Sequence, residues 1–172
     1  GNTLNGSNID DFMQGNDGGD TLNGLDGNDT LIGGTNGGPV DNAADKLNGG
    51  DGNDTLRGEA GNDTLKGGDG DDNVQGGDGN DNIDGGTGND TLETGIGTDI
   101  VSGSSGDDLV RIEVGRKTLD GGTGIDVLEV NRAAASGQMV FALNGPAASD
   151  GTTTTNFEIL RYTSGGGRDE IT

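Results

Sequence analysis

Asp54, Asp63, Asp72, Asp81, Asp90, Asp99 and Asp108 follow one another at intervals of nine residues; Lys117 takes the next place and Asp126 resumes the series. Asp45, Asp29, Asp20 and Asp11 extend it toward the amino terminus. A carboxylate can serve as a general acid or base, as one of a glycosidase pair, or as a hard oxygen donor to a cation. Repetition favours the donor role, because hydrolysis needs two carboxylates in different settings and these recur in identical ones. Calcium takes 6–8 oxygen ligands at ~2.3–2.6 Å and accepts carboxylates and carbonyls together. Asp, the shorter acid, can fold back onto a local turn, and 25 of the 31 acidic residues are Asp. With no Cys and no His, the chain has no thiol nucleophile, no imidazole base, no disulfide framework and no zinc cluster.

Composition narrows the elements that could position these acids. The 172 residues are only 26% hydrophobic and 2% aromatic, and glycine fills 39 positions, so a conventional globular core is excluded. The net charge of −22 repels phosphate, so nucleic acid is not an expected partner. No run of 18 apolar residues exists to span a membrane. Either a disordered polyanion or a fold completed by a bound cation remains.

The apolar residues decide between the two. Leu56, Leu65, Val74, Ile83, Leu92, Val101, Val110, Leu119 and Leu128 keep the same nine-residue interval, and Leu47, Leu31, Leu22 and Met13 precede them. Disordered tails do not hold such a register. In the unit Gly49–Arg57, six residues of turn chemistry lead to three that can form a short strand, sending Leu56 inward and Thr55 and Arg57 outward. Two units should complete one coil, and stacked coils should give two parallel sheets around the apolar column. Roughly six coils spaced ~4.8 Å apart would make a rod about 30 Å long. The step from Leu31 to Leu47 is seven residues too long, and reads as a surface loop at about 39–45 with both leucines still inward.

The units follow G-G-x-G-x-D-x-U-x over about residues 6–129, and the chain is thereby identified as a resemblance to the repeats-in-toxin (RTX) calcium-binding nonapeptide family. The resemblance implies an all-β, right-handed parallel β-roll (a β-solenoid) with calcium held in the turns. It implies as ligands the sixth-position carboxylates Asp20, Asp29, Asp45, Asp54, Asp63, Asp72, Asp81, Asp90, Asp99, Asp108 and Asp126. Turn carbonyls, taken at Gly50, Gly52, Gly68, Gly70, Gly77, Gly79, Gly86 and Gly88, complete the implied set. Residues 1–129 carry 27 acidic and 6 basic side chains, so on the order of ten calcium ions would nearly neutralise the array. Unit 112–120 departs from the pattern, with Ile112 and Glu113 for glycines and Lys117 for Asp. Missing or altered calcium is expected there, with Lys117 near Asp99. The first turn, with Ile9 at a glycine position, is expected to fray or to pair with a preceding module.

Composition shifts after Glu129. Residues 130–163 read as a small β cap or interruption, with strands near Gln138–Asn144 and Asn156–Tyr162, and 164–172 as the start of a further repeat. Outward Ile100, Leu109 and Val127 imply cover from that segment, from another copy, or from a neighbouring module of a longer chain. Neither an initiator Met nor a signal peptide is present, as expected of an excerpt from a larger protein.

The leading functional expectation is a non-enzymatic calcium-binding structural module of a secreted or cell-surface bacterial protein, of adhesin, S-layer or exoprotein type. The family resemblance adds type I secretion and folding on calcium after export. Alternatives are an accessory roll of a secreted protease, lipase or polysaccharide epimerase, or an ice- or ligand-binding solenoid built on outward Thr21, Thr30, Thr55, Thr64, Thr91 and Thr118. Lys46, Asn73 and Asn82 interrupt those threonine ranks, and exposed strand positions favour Thr in any case.

Overall fold

The computed structural model describes residues 1–34, 42–113, 115–131, 140–141, 152–163 and 170–171. One sheet stacks β1 (Thr3–Asn5), β3 (Thr21–Asp26), β5 (Lys46–Asp51), β7 (Thr64–Asp69), β9 (Asn82–Thr87), β11 (Asp99–Ser105), β13 (Lys117–Asp120) and β16 (Thr153–Thr155). The facing sheet stacks β2 (Phe12–Gln14), β4 (Thr30–Ile32), β6 (Thr55–Ala60), β8 (Asn73–Asp78), β10 (Thr91–Ile96), β12 (Leu109–Ile112), β14 (Val127–Asn131) and β17 (Ile159–Thr163). Every pairing is parallel, and most join residues 18 apart, as in Leu47 to Leu65 and Leu92 to Val110. The fold is therefore an all-β parallel β-roll in which two nonapeptides make one rung. No helix among the described residues is long and apolar enough to cross a membrane.

The core is the eighth-position column. Leu22, Leu31, Leu47, Leu56, Leu65, Val74, Ile83, Leu92, Val101, Val110, Leu119 and Leu128 are buried in one cluster, closed at the ends by Met13 and Phe157. Leu31 and Leu47 both point inward across the long step.

Three expectations need correction. Each sheet is eight strands deep, not six, because Leu4 adds a rung before the recognisable glycines begin and 152–163 adds one after them. That last rung was hidden because its inward residues in and just before β16 are Thr154 and Thr152 rather than apolar ones. Strands are also longer than three residues. β7 runs through the third position of the following unit, because glycine backbone keeps bonding between rungs, as in Gly70 N to Thr87 O at 2.7 Å. At the amino end, β1 and β2 are paired to the next rung rather than frayed.

The seven extra residues fall between the second and third positions of their unit. Gly33 lies against Asp45, while the Ala43 and Ala44 carbonyls already stack under Gly61 and Gly19. The inserted segment is thus 35–41, which lies outside the described residues; of the segment 164–172 assigned to a further repeat, only 170–171 are described. The strand expected near 138–144 is described only as β15 (Val140–Phe141), which pairs with β18 (Glu170–Ile171). Of the outward apolar residues, Ile100 is 56% exposed, while Leu109 and Val127 are half-buried in one rank with Ile159.

Candidate metal centre

Turn geometry brings the sixth-position aspartates into two columns, one along each edge of the roll. Asp20, Asp45, Asp63, Asp81 and Asp99 lead into the first sheet; Asp29, Asp54, Asp72, Asp90, Asp108 and Asp126 lead into the second. All are at most 3% exposed. Each Oδ1 is fixed by the backbone of the rung before: Asp54 N donates to Asp72 Oδ1 at 2.7 Å, Asp72 N to Asp90 Oδ1 at 2.8 Å, and Asp81 N to Asp99 Oδ1 at 2.9 Å. Asp45 and Asp63 belong to the same ladder.

The second oxygen is different. The Oδ2 atoms of Asp20, Asp29, Asp54, Asp72, Asp81, Asp90, Asp108 and Asp126 are buried without a hydrogen-bond partner. Each turns toward the first-position residue of its own unit. A Cβ on Gly67 would run into Asp72 Oδ2 and into the Gly85 carbonyl, so only glycine fits there. An unpaired buried carboxylate oxygen is costly, which makes these rows incomplete by themselves.

Burial raises the carboxyl pKa accordingly, to about 7 at Asp72 and about 6 at Asp54, Asp81, Asp90 and Asp108. Desolvation is the largest cause; the backbone N–H bond opposes it, and the neighbouring aspartates of the column add repulsion. Asp29 and Asp126 shift the same way for the same first cause.

One position shows what kind of group suits such a space. Lys117, fully buried, stands where the next rung would place Asp, and its ammonium reaches back between the rungs. Lys117 Nζ donates to Gly95 O at 2.8 Å and Gly97 O at 3.2 Å, and pairs with Asp99 Oδ2. A cation is thus held by the second- and fourth-position carbonyls and the sixth-position carboxylate of one unit. Gly50, Gly52, Gly68, Gly70, Gly77, Gly79, Gly86 and Gly88 occupy those same second and fourth positions, with positive φ of 108–143°. Asp99, expected as a ligand, has its Oδ2 paired with a cation of the chain's own. Two neighbouring departures fit the change: Thr94 and Ile112 replace first-position glycines and are buried, in the unit whose Asp99 Oδ2 pairs with Lys117 and in the unit that carries Lys117 in place of Asp.

Among the described residues, no three carboxylates converge as a metal cluster. Carbonyl oxygens would therefore have to supply much of any ion's shell. That donor mixture, all oxygen and part neutral, suits calcium and not the softer transition metals.

The repeat model for the RTX calcium-binding nonapeptide (4 copies) matches residues 5–36, 41–74 and 75–110, more than half of the chain. The chain belongs to the RTX calcium-binding nonapeptide repeat family. A search of curated proteins returned no match. As an RTX roll it is a calcium-binding repeat module, and its orphan Oδ2 rows and carbonyl cages are compatible with that ion.

Several residues of the RTX columns escape the sequence pattern. Asp126 N donates to Glu158 Oε2 at 2.8 Å, and Lys117 N to Thr152 Oγ1 at 3.2 Å, so Glu158 and Thr152 continue the two ladders. Asp11 begins one, but its Oδ2 accepts from Ser7 N at 2.6 Å. A second ladder uses the fifth position: Asn53 accepts at Oδ1 from Asp71 N at 2.9 Å, Asp71 from Asn89 N at 2.7 Å, and Asn89 from Asp107 N at 2.8 Å. It runs opposite to the sixth-position ladder, since here the donor lies in the rung after. The recurrence of Asn or Asp before most sixth-position aspartates, at Asn28, Asn53, Asn62, Asp71, Asn80, Asn89 and Asp107, was the available signal.

Proposed function

We propose that this chain is a non-catalytic structural rod, assembled by calcium, in a secreted or cell-surface protein. The sixth-position carboxylates other than Asp99 hold the ions, with the second- and fourth-position carbonyls. The observation that carries this reading is the Lys117 ammonium. It sits among the second- and fourth-position carbonyls and beside the sixth-position carboxylate of one unit, positions that recur along the roll where a carboxylate oxygen has no partner. Calcium supplies two positive charges per site to columns that otherwise stack carboxylate on carboxylate.

Charge and the affinity range of extracellular calcium modules support that location. Extracellular calcium modules bind at ~10⁻⁴–10⁻³ M, far above cytosolic calcium, so the chain would stay an open polyanion inside and fold outside. Each site needs two stacked rungs, so binding and folding should be one cooperative event. The absence of a catalytic role rests on the identity of the carboxylate settings from rung to rung.

Circular dichroism in chelator, followed by calcium and magnesium titrations, tests the reading. A coil spectrum that converts sigmoidally to β with calcium, and not with equal magnesium, is expected, since magnesium demands near-ideal octahedral geometry and sheds water reluctantly. Full strand signal in chelator would overturn it.

A further inference from the structure

The family match ends at residue 110, and the two columns part company beyond it. On one edge, the step after Lys117 meets Thr152, so no carboxylate pair forms. On the other, the step after Asp126 meets Glu158, supplied by a segment outside the nonapeptide array. We propose that Asp126 and Glu158, with the Gly122 and Gly124 carbonyls, form one further calcium site that fastens the last rung to the roll. This rests on the calcium reading above and extends it to a residue type and a segment the repeat does not include.

Asp126 is 0% exposed, and its buried Oδ2 has no hydrogen-bond partner. That oxygen turns toward Gly121, where a Cβ would lie 2.7 Å from it, as the other sixth-position carboxylates turn toward their own first-position glycines. Gly122 and Gly124 hold the same second and fourth positions as Gly95 and Gly97, which carry the Lys117 ammonium, and have positive φ of 105° and 143°. Glu158 Oε2 takes the same backbone N–H bond that Asp Oδ1 takes on every earlier rung of this column.

The longer acid is accommodated by the backbone. Glu158 N and Ile159 N both donate to Asp126 O, at 3.0 and 3.1 Å, whereas the regular rungs use only the seventh-position N–H. Phe157, 1% exposed, anchors this turn in the core. Ile159, Leu160 and Arg161 then pair in register with Val127, Leu128 and Glu129. An ion held between Asp126 and Glu158 would therefore tie the chain after the 132–151 interval to the array by charge as well as by strand pairing.

The test is the number of calcium ions bound per chain, by equilibrium dialysis and elemental analysis, for wild type, Glu158→Gln, Glu158→Asp and Asp126→Asn. Amide exchange at Glu158 and Ile159 is followed in parallel. Glu158→Gln should lose one ion and Glu158→Asp should keep it, while Asp126→Asn, whose carboxylate also follows Asp108 in the column, should lose at least one. With calcium at about ten times its dissociation constant, Glu158→Gln should speed exchange at these amides about tenfold, and in chelator not at all. An unchanged ion count in Glu158→Gln would overturn this site and leave the calcium reading of the repeats standing. A wild-type chain that binds no calcium would overturn both.

Discussion

Replacing Lys117 tests the cation cage most directly, because one side chain replaces an ion. Lys117→Met keeps the length and apolar stem but removes the charge. It leaves Asp99 Oδ2 and the Gly95 and Gly97 carbonyls facing a space with no donor. Breaking a fully buried pair by removing one partner costs about 3–5 kcal/mol. Because calcium can enter the vacated cage, that loss should shrink as calcium rises. Lys117→Asp goes further, restoring the sixth-position carboxylate and creating a carboxylate pair with Asp99. It should bind one calcium more than wild type, and at about a hundredfold excess over the dissociation constant that ion would return about 2.7 kcal/mol. Urea unfolding at fixed calcium, with ion counting by elemental analysis, reads both quantities. The cage reasoning fails if Lys117→Asp binds no additional ion, or if Lys117→Met costs under about 1 kcal/mol at low calcium, the range of an exposed pair.

Three other outcomes follow from the same geometry. The folded carboxyl pKa values of about 6 to 7 at Asp54, Asp72, Asp81, Asp90 and Asp108 lie above the unfolded range, so the metal-free roll is favoured at low pH and loses that stability as pH rises through 6–7. Chelated protein should therefore gain strand signal on acidification from pH 8 to about 5, while protons competing for the same oxygens raise the calcium midpoint; equal chelated spectra at both pH values would contradict this. Leu25 takes a φ of 87° at a second position and is 43% exposed, so Leu25→Gly should relieve about 1 kcal/mol of left-handed strain and lower the calcium midpoint, and a raised midpoint would show its side chain matters more. Deleting 35–41 restores a uniform repeat and should leave the calcium titration nearly unchanged, since closing a loop of this size costs only a fraction of a kcal/mol per doubling of length; loss of cooperative folding would assign the loop a structural role.

The nine-residue frame was enough to place the eighth-position column inside, to set residues 18 apart on neighbouring rungs, and to bring Asp54, Asp72, Asp90 and Asp108 into one row. These are local consequences of a turn that repeats, so each unit predicts its neighbours. Tertiary structure decided what depends on reach and on register after a break. Nothing in the spacing says that the Lys117 side chain extends back to the Gly95 and Gly97 carbonyls, or that Thr94 and Ile112 belong to the same local change. Both depend on how far a four-carbon stem penetrates between rungs. Nor could spacing show that Glu158, 32 residues beyond Asp126, takes the place of the next Asp. After such an interval the chain carries no phase of its own, and only pairing of Ile159 and Leu160 with Val127 and Leu128 assigns one.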